Sequence, residues 1–325
     1  MYSKLKEAHL VGKFASALSR PVLDLGHCRG ESSVKPQEDS EEEEFNMGVA
    51  AEDRTPAQDE ALKKLTGSLR ESGVLRSRDN EHDLLRFLKA RSFDVGKAKA
   101  MYEAMLEWRK ETGADTIIET FQFPERKLTK ELYPHFHHKT DKLGRPVYIE
   151  RLGQLQVEEL LKITTFDRML LYHIKEWEIL IDWKFPACSK KAGRTINQSL
   201  TILDLKGVTL KHMSKHVRHF VQRISKVDQD NYPEYLGKMV IINAPTTFKA
   251  IWSVIKSWLD KRTQKKIEVH GSNYAHRLYE LVDHKNLPEF LGGSCQCPGG
   301  CENSDAGPWD DVPFQPTFYE APSKA

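Results

Sequence analysis

Two clusters of residues in this 325-residue chain have side chains able to hold a metal. His135, His137 and His138 follow Tyr133-Pro134, and Cys295, Cys297 and Cys301 lie near the C-terminus. The cysteine spacing is not the paired C-x-x-C of common zinc modules, and His284, the nearest histidine, lies outside a standard ligand interval. The clusters therefore read as loop histidines and solvent-near thiols, and no metal is assigned. A third group, His212, His216 and His219, shares one helical face, but Lys211, Lys215, Arg218 and Arg223 surround it. Cations repel a metal ion, so this is a solvated basic face. Such a face can rest against anionic lipid headgroups, at about 1 kcal/mol per nearby basic residue.

Catalytic signatures are missing. The 19 glycines form neither G-x-G-x-x-G nor G-x-x-x-x-G-K, the two common phosphate-cradling loops. There is no G-x-S-x-G elbow and no H-E-x-x-H. Asp204 with a histidine is the remaining hydrolase option, and Asp204 is more simply a strand-end residue. The chain reads as a binding protein rather than an enzyme, with no cofactor.

The elements that would position a site begin near Thr55. Asn80 with Asp83 caps a helix carrying Leu84, Leu85 and Leu88, and Asp94 caps another carrying Ala98, Met101, Met105 and Trp108. From about residue 130 strands and helices alternate. Gly144-Arg145-Pro146 turns into the strand Val147 to Glu150. Thr164 with Asp167 caps a long helix from Phe166 through Met169, Leu170, His173, Trp177 and Leu180 to Ile181. A branched run from Ser199 to Leu205 is a central strand. Then come a helix with Leu210, Met213, Val217, Phe220, Val221 and Ile224, a strand from Met239 to Asn243, a helix over 247–259 and a last strand near Lys266 to Val269. Such alternation predicts right-handed crossovers and an α/β fold with a mostly parallel sheet, behind a small all-helical domain.

Residues 1–55 stand apart. Leu10, Val11, Phe14 and Leu18 among Lys4, Lys6, Lys13 and Arg20 read as a disordered leader with some amphipathic character, and the acidic run Glu38 to Glu44 as a solvated linker. A net charge of +2 argues against a nucleic-acid partner. Five cysteines without a regular framework suit a reducing compartment, and no apolar run is long enough to span a bilayer. The expected location is cytoplasmic.

Six segments in order carry a resemblance: LRFLKARSFDVGKAK (85–99), KTDKLGRPVYIERLGQ (139–154), FPACSKKAGR (185–194), TILDLKGV (201–208), DNYPEYLGKMVIINAP (230–245) and LPEFLGGSC (287–295). The chain resembles the CRAL-TRIO family, and within it the phosphatidylinositol/phosphatidylcholine transfer proteins of the Sec-fourteen-like type. GGSCQCPGGC with GPWDD looks like the plant-type branch. The resemblance implies a helical N-terminal domain over 56–125, a lipid-binding domain over 126–295 with a deep pocket and helical gate, and a C-terminal extension over 296–325.

It also implies roles. Phosphatidylinositol is expected at Arg91, Glu234, Thr263 and Lys266, with Ser199 and Thr201 near a phosphatidylcholine phosphate. Tyr148, His137 and Trp177 would surround the second lipid, although His137 and Trp177 stand where the family has Tyr. Those two departures favour the inositol lipid over the choline lipid; in addition Ser92 replaces a basic residue and Tyr235 an Arg. The gate helix would present Phe248, Ile251, Trp252, Ile255 and Trp258. From the pattern alone that apolar face packs on the core, and Lys266 is a strand-edge lysine facing solvent. The implied ligand is a phospholipid, and the partners are a transient membrane surface (Golgi or plasma membrane) and a phosphoinositide kinase. Alternatives are a carrier for a tocopherol, sterol or retinoid, and a lipid-dependent scaffold for such a kinase.

Overall fold

The computed structural model describes residues 54–209, 212 and 214–312, with only the backbone at 249 and 250. The basic leader, the acidic run, Cys28, Leu210 and Met213 lie outside the described residues. The chain divides into two compact units at Thr112/Gly113, ahead of the boundary expected near 125. The reason is aromatic. Phe121 stacks on Phe123, and Phe123 on Tyr172 at 4.6 Å, which draws residues 113–125 into the second unit.

The first unit is three helices, α1 (Pro56–Glu71), α2 (Glu81–Ala90) and α3 (Val95–Thr112). Thr55 and Asn80 close capping boxes with Gln58 and Asp83, and Asp94 accepts the Lys97 amide at 3.0 Å. Each box satisfies amides that a helix start otherwise leaves bare. Leu65, Leu69, Leu84, Leu88, Ala98, Met101 and Met105 then interlock as one apolar cluster.

The second unit runs α4 (Ile117–Thr120), α5 (Arg126–Leu132), β1 (His135–Thr140), β2 (Pro146–Arg151), α6 (Val157–Ile163), α7 (Phe166–Ile179), α8 (Phe185–Ala192), β3 (Ser199–Asp204), α9 (Lys215–Asn231), β4 (Leu236–Ile242), α10 (Phe248–Lys256), α11 (Lys261–Lys265), β5 (Ile267–Val269), α12 (Ala275–Leu281) and α13 (Cys301–Ser304). The five strands lie side by side in chain order. β1 pairs antiparallel with β2, and the remaining neighbours are parallel.

Several boundaries differ from the sequence reading. The three histidines are not in a loop: they lie on β1 and are buried. Thr165, not Thr164, caps α7, accepting the Arg168 amide at 3.2 Å, because the Thr164 hydroxyl is turned to Glu125. α7 does not stop at Ile181 but widens into a π turn over Leu180–Lys184 and continues as α8, ending at Gly193 with φ 65°. The expected helix 247–259 ends at Lys256, so Trp258 sits in a turn before Asp260 caps α11.

Sequential parallel strands joined by right-handed crossovers send every connecting helix over the same face. The register shows what that face carries. His137, Tyr148, Thr201, Met239 and Ile267 are paired in one row across all five strands. The opposite face bears Phe136, Val147, Ile149, Leu200, Ile202, Val240 and Ile242, sealed by Leu278, Val282, Leu287 and Leu291. The C-terminal segment thus makes the solid core and leaves the crossover side for a site.

Gly237 is an extra residue in β4, since Ser199 pairs with Leu236 and Leu200 with Lys238. A Cβ there would meet Arg145 Nη1 at 2.5 Å and the Ser199 carbonyl at 3.0 Å. Gly237→Ala should cost about 1–3 kcal/mol of stability by overpacking. Denaturant melts should show that loss, and should show little for Gly271→Ala, where an added Cβ meets nothing within 4 Å.

Candidate functional site

Three strand hydroxyls define the polar end of the crossover face. Ser199 and Thr201 are two residues apart on β3, so both point the same way, and Tyr148 pairs with Thr201 from β2. Ser199 and Thr201 are buried and Tyr148 is half-buried. Among the described residues none of the three hydroxyls has a hydrogen-bond partner. Beside Tyr148, with ring centroids 5.2 Å apart, lies His137, and both of its buried ring nitrogens are unpartnered too. Burial, then the charge of Lys184, keeps His137 neutral by pushing its pKa well below the ordinary range. Burial, then Glu150, holds the Tyr148 phenol protonated. Protein interiors seldom leave an imidazole with both nitrogens buried and unsatisfied, because each such group costs roughly 1–3 kcal/mol, and here three hydroxyls without protein partners lie on the same sheet face. Such a row fits a surface that receives a polar ligand.

Along the same face the lining turns apolar. Leu203, Met239 and Ile267 are only half-buried although they sit on the sheet, and they pack with Leu205, Ile241 and Phe248. α10 lies over them. Its Phe248 is buried, and Ile251 and Trp252 are half-buried against that cluster, while Val254 is 47% exposed. Ile255 is half-buried, as is Trp258 in the following turn. The helix has no side-chain cap at Thr247, and the turn after it is held by side chains instead. Gln264 Nε2 donates to the Lys256 and Leu259 carbonyls at 2.9 and 2.8 Å, and Gln229 of α9 donates to the Trp258 carbonyl at 3.0 Å.

An ion-pair cluster lies in the segment that follows that turn. Lys266 Nζ donates to Glu234 Oε2 at 2.6 Å, and Arg262 Nη1 is 3.9 Å from the same carboxylate. The Lys266 side chain is 4% exposed. The expectation of a solvent-facing strand-edge lysine therefore fails, because Glu234 compensates its burial. Glu234 reaches it from a left-handed backbone position, φ 62°. Thr263, the first turn of α11, does not join the pair. Its hydroxyl bonds to Asp260, the residue that caps the helix. Arg91 belongs to the first unit, at the C-cap of α2.

Trp177, placed by resemblance near the second lipid, stacks on Tyr232 at 5.2 Å and tilts against Tyr235 at 5.6 Å. Tyr235 in turn stacks on Phe185. The Trp177 indole N–H and His173 Nε2 both bond to Asp228 Oδ1, at 2.9 and 2.7 Å. Glu150 lies near them and is hydrogen-bonded by the Tyr133 hydroxyl. Only Trp177 and Glu150 carried a sequence signal, the first by resemblance and the second inside the motif 139–154; the rest of the network joins residues up to 95 positions apart in the chain (Tyr133 to Asp228). Burial opposes a charge on His173, but Asp228 outweighs it and raises the histidine pKa above its ordinary value. Burial also raises Glu150, against the Tyr133 hydrogen bond.

Residues 130–293 match the model of the CRAL/TRIO domain, and residues 35–104 that of the CRAL/TRIO N-terminal domain. The phosphatidylinositol/phosphatidylcholine transfer protein SFH12 of Arabidopsis thaliana is 52% identical over 233 residues, covering 71% of this chain and 43% of the relative. The Sec14 cytosolic factor of Schizosaccharomyces pombe is 47% identical, covering 70% and 79%. The chain spans about two fifths of the length of the first Arabidopsis relatives, 43% and 39%. The solved structure described as the crystal structure of Sfh5 superposes with a TM-score of 0.57 at 19% identity, covering 74% of this chain and 88% of that one. Among the described residues no helix is long and apolar enough to cross a membrane.

The raised His173 pKa carries a sign. Protonated His173 stabilises the fold fully below the unfolded value near 6.5, and that contribution is lost as pH rises through the folded pKa. Asp228→Asn removes the carboxylate responsible. The stability gap between wild type and Asp228→Asn should therefore be wide at pH 6 and narrow at pH 8 in urea melts. A gap independent of pH would remove the charge from His173.

Proposed function

This chain belongs to the CRAL/TRIO family, and we propose that it binds one phospholipid on the crossover face of its sheet and carries it between membranes without chemical change. The observation carrying this reading is the row of unpartnered polar groups, His137, Tyr148, Thr201 and Ser199, continuing into the half-buried apolar lining beneath α10. A sterol or tocopherol would satisfy the apolar part and leave the polar row bare. The names of the relatives support phosphatidylinositol and phosphatidylcholine as cargo. The protein acts from the cytoplasm on a membrane surface, and presentation of the lipid to a phosphoinositide kinase is its finer output.

The magnitudes explain why such a carrier needs a lid. Each buried methylene is worth about 0.8 kcal/mol, so two acyl chains resist exposure to water by on the order of 20 kcal/mol. A lining as apolar as a bilayer makes the move nearly neutral, provided the chains never meet bulk water. α10 is the element to open: its outward Val254 and inward Phe248, Ile251 and Trp252 give apolar surface on both sides. The basic face of α9, with His216, Arg218 and His219 exposed, supplies attraction to anionic headgroups.

Lys266 and Glu234 divide the inositol headgroup between them. The ammonium takes the phosphate by charge-assisted bonds, and the carboxylate accepts inositol hydroxyls. In this reading Ser199 and Thr201 lie toward the choline-lipid phosphate.

Protein purified from a eukaryotic host should yield about one phospholipid per chain on extraction and mass spectrometry. Recovery of a sterol or tocopherol alone would overturn the reading.

Lys266→Ala should weaken phosphatidylinositol transfer between vesicles by about ten- to a hundredfold, as expected for a lost bond to a charged group of roughly 1.5–3 kcal/mol. Phosphatidylcholine transfer should fall much less. A thermal melt run alongside checks folding, since Glu234 loses its partner. Equal loss for both lipids in a well-folded variant would take Lys266 out of the headgroup site.

A further inference from the structure

The cysteines dismissed as scattered thiols are brought together by the fold with a histidine from the far side of the domain. The ligating atoms of His138, Cys295, Cys297 and Cys301 all lie within 4.8 Å of one another. Cys295 and Cys301 are buried and Cys297 is half-buried, and all three are free thiols. We propose that these four residues are a closed structural zinc site that fastens the C-terminal segment to strand β1.

Three independent features carry the assignment. The first is spacing. Cys295 Sγ and Cys297 Sγ are 3.7 Å apart. Two thiolates each about 2.3 Å from one tetrahedral zinc ion would stand about 3.8 Å apart, whereas a disulfide needs about 2.05 Å. The second is the histidine. His138 is 0% exposed, its Nδ1 lies 3.4 Å from Ser304 Oγ, and its buried Nε2 has no partner. A buried lone pair without a donor costs free energy, and a metal ion is its natural partner. Zinc-bound histidines regularly turn their other nitrogen to an oxygen in this way. The third is charge. Three thiolates and one zinc ion leave a net negative charge, and Lys139 Nζ donates to Cys295 Sγ at 2.9 Å. Cys301 Sγ now donates to the Cys295 carbonyl at 3.3 Å and would give up that proton on binding.

The backbone is shaped for the job. Pro298 is followed by Gly299 and Gly300 at φ 72° and 89°, left-handed positions that turn the chain so that Cys301 faces back toward Cys297. Four protein ligands leave no open position, which makes the site structural rather than catalytic. Thiolates with one imidazole select zinc over magnesium or calcium.

Around the site the same strap is tied by other bonds: the Lys139 amide donates to the Ala306 carbonyl at 2.6 Å, and Lys184 to Asp305 at 2.7 Å. The strap places Trp309 against His137, at 6.3 Å between ring centroids. The zinc would thus hold in place one wall beside the proposed lipid's polar row. The proposal itself rests only on the ligand geometry.

The test uses the full chain without an affinity tag. Elemental analysis should find about one zinc per chain in wild type and in Cys188→Ser, whose buried cysteine lies outside the cluster. Cys297→Ser should lose it. Cobalt substitution should give the intense visible bands of a tetrahedral thiolate site. A chelator should lower the melting temperature of wild type and leave that of Cys297→Ser unchanged. If Cys297→Ser does not fold, the wild-type stoichiometry and cobalt spectrum decide alone. A wild-type chain that takes neither zinc nor cobalt, a native Cys295–Cys297 disulfide, or zinc retained in a folded Cys297→Ser protein would overturn the assignment.

Discussion

One topological constraint organises the second unit. Parallel strands laid down in chain order, each joined by a crossover of the same hand, must carry all their helices on one face. In a doubly wound sheet the helices would cover both sides and make two solid layers. Here one side is left to the C-terminal segment, whose Leu278, Val282, Leu287 and Leu291 close it tightly. On the other side the helices meet a face that mixes Tyr148, Thr201 and His137 with Met239 and Ile267. A face of mixed polarity cannot be sealed by apolar helices without stranding hydroxyls. It can be sealed by a ligand that is polar at one end and apolar at the other.

Several charges of this unit are buried in pairs, and that distinguishes its positioning residues from its surface. Lys266 has Glu234, Lys184 has Asp305 and Arg145 has Asp141. A buried pair is weak evidence of stability, but removing one partner costs several kcal/mol, roughly 3–5 when burial is complete. Such pairs therefore hold geometry rather than add net stability. Asp141 shows the pattern well. Its carboxylate accepts the Arg145 guanidinium at 2.6 Å and the Leu143 and Arg145 amides, so one side chain shapes the turn that starts β2. That turn joins β1 to β2, whose pairing sets His137 opposite Tyr148.

The strap beyond residue 295 solves a further problem. β1 is an edge strand, and an unprotected edge is a template for pairing with another chain. The strap meets it through the Lys139–Ala306 backbone bond and reaches β2 through the contact of Arg151 with Glu302. What the sequence order presents as an extension is part of the fold.

Local signals in the sequence settled the local structure. Capping pairs such as Asn80 with Asp83, the branched run Ser199 to Leu205, and the periodic apolar residues of α3 and α9 act within one turn or one strand, so neighbouring residues suffice to read them. The mostly parallel α/β class followed from their order, and the family from six motifs. Everything that depended on pairing distant residues was left to the tertiary structure. Strand β1 was missed because its three histidines hide the alternation of a strand, and they are buried only because the strap and α7 cover them. Lys266 looks solvent-facing beside Lys265, and becomes a buried cation only because Glu234, 32 positions earlier, is turned toward it by a left-handed backbone. His138 stands 157 positions before Cys295, outside any interval a spacing rule would search. Their meeting depends on where an edge strand and a C-terminal strap come to rest, which only packing of the whole domain decides.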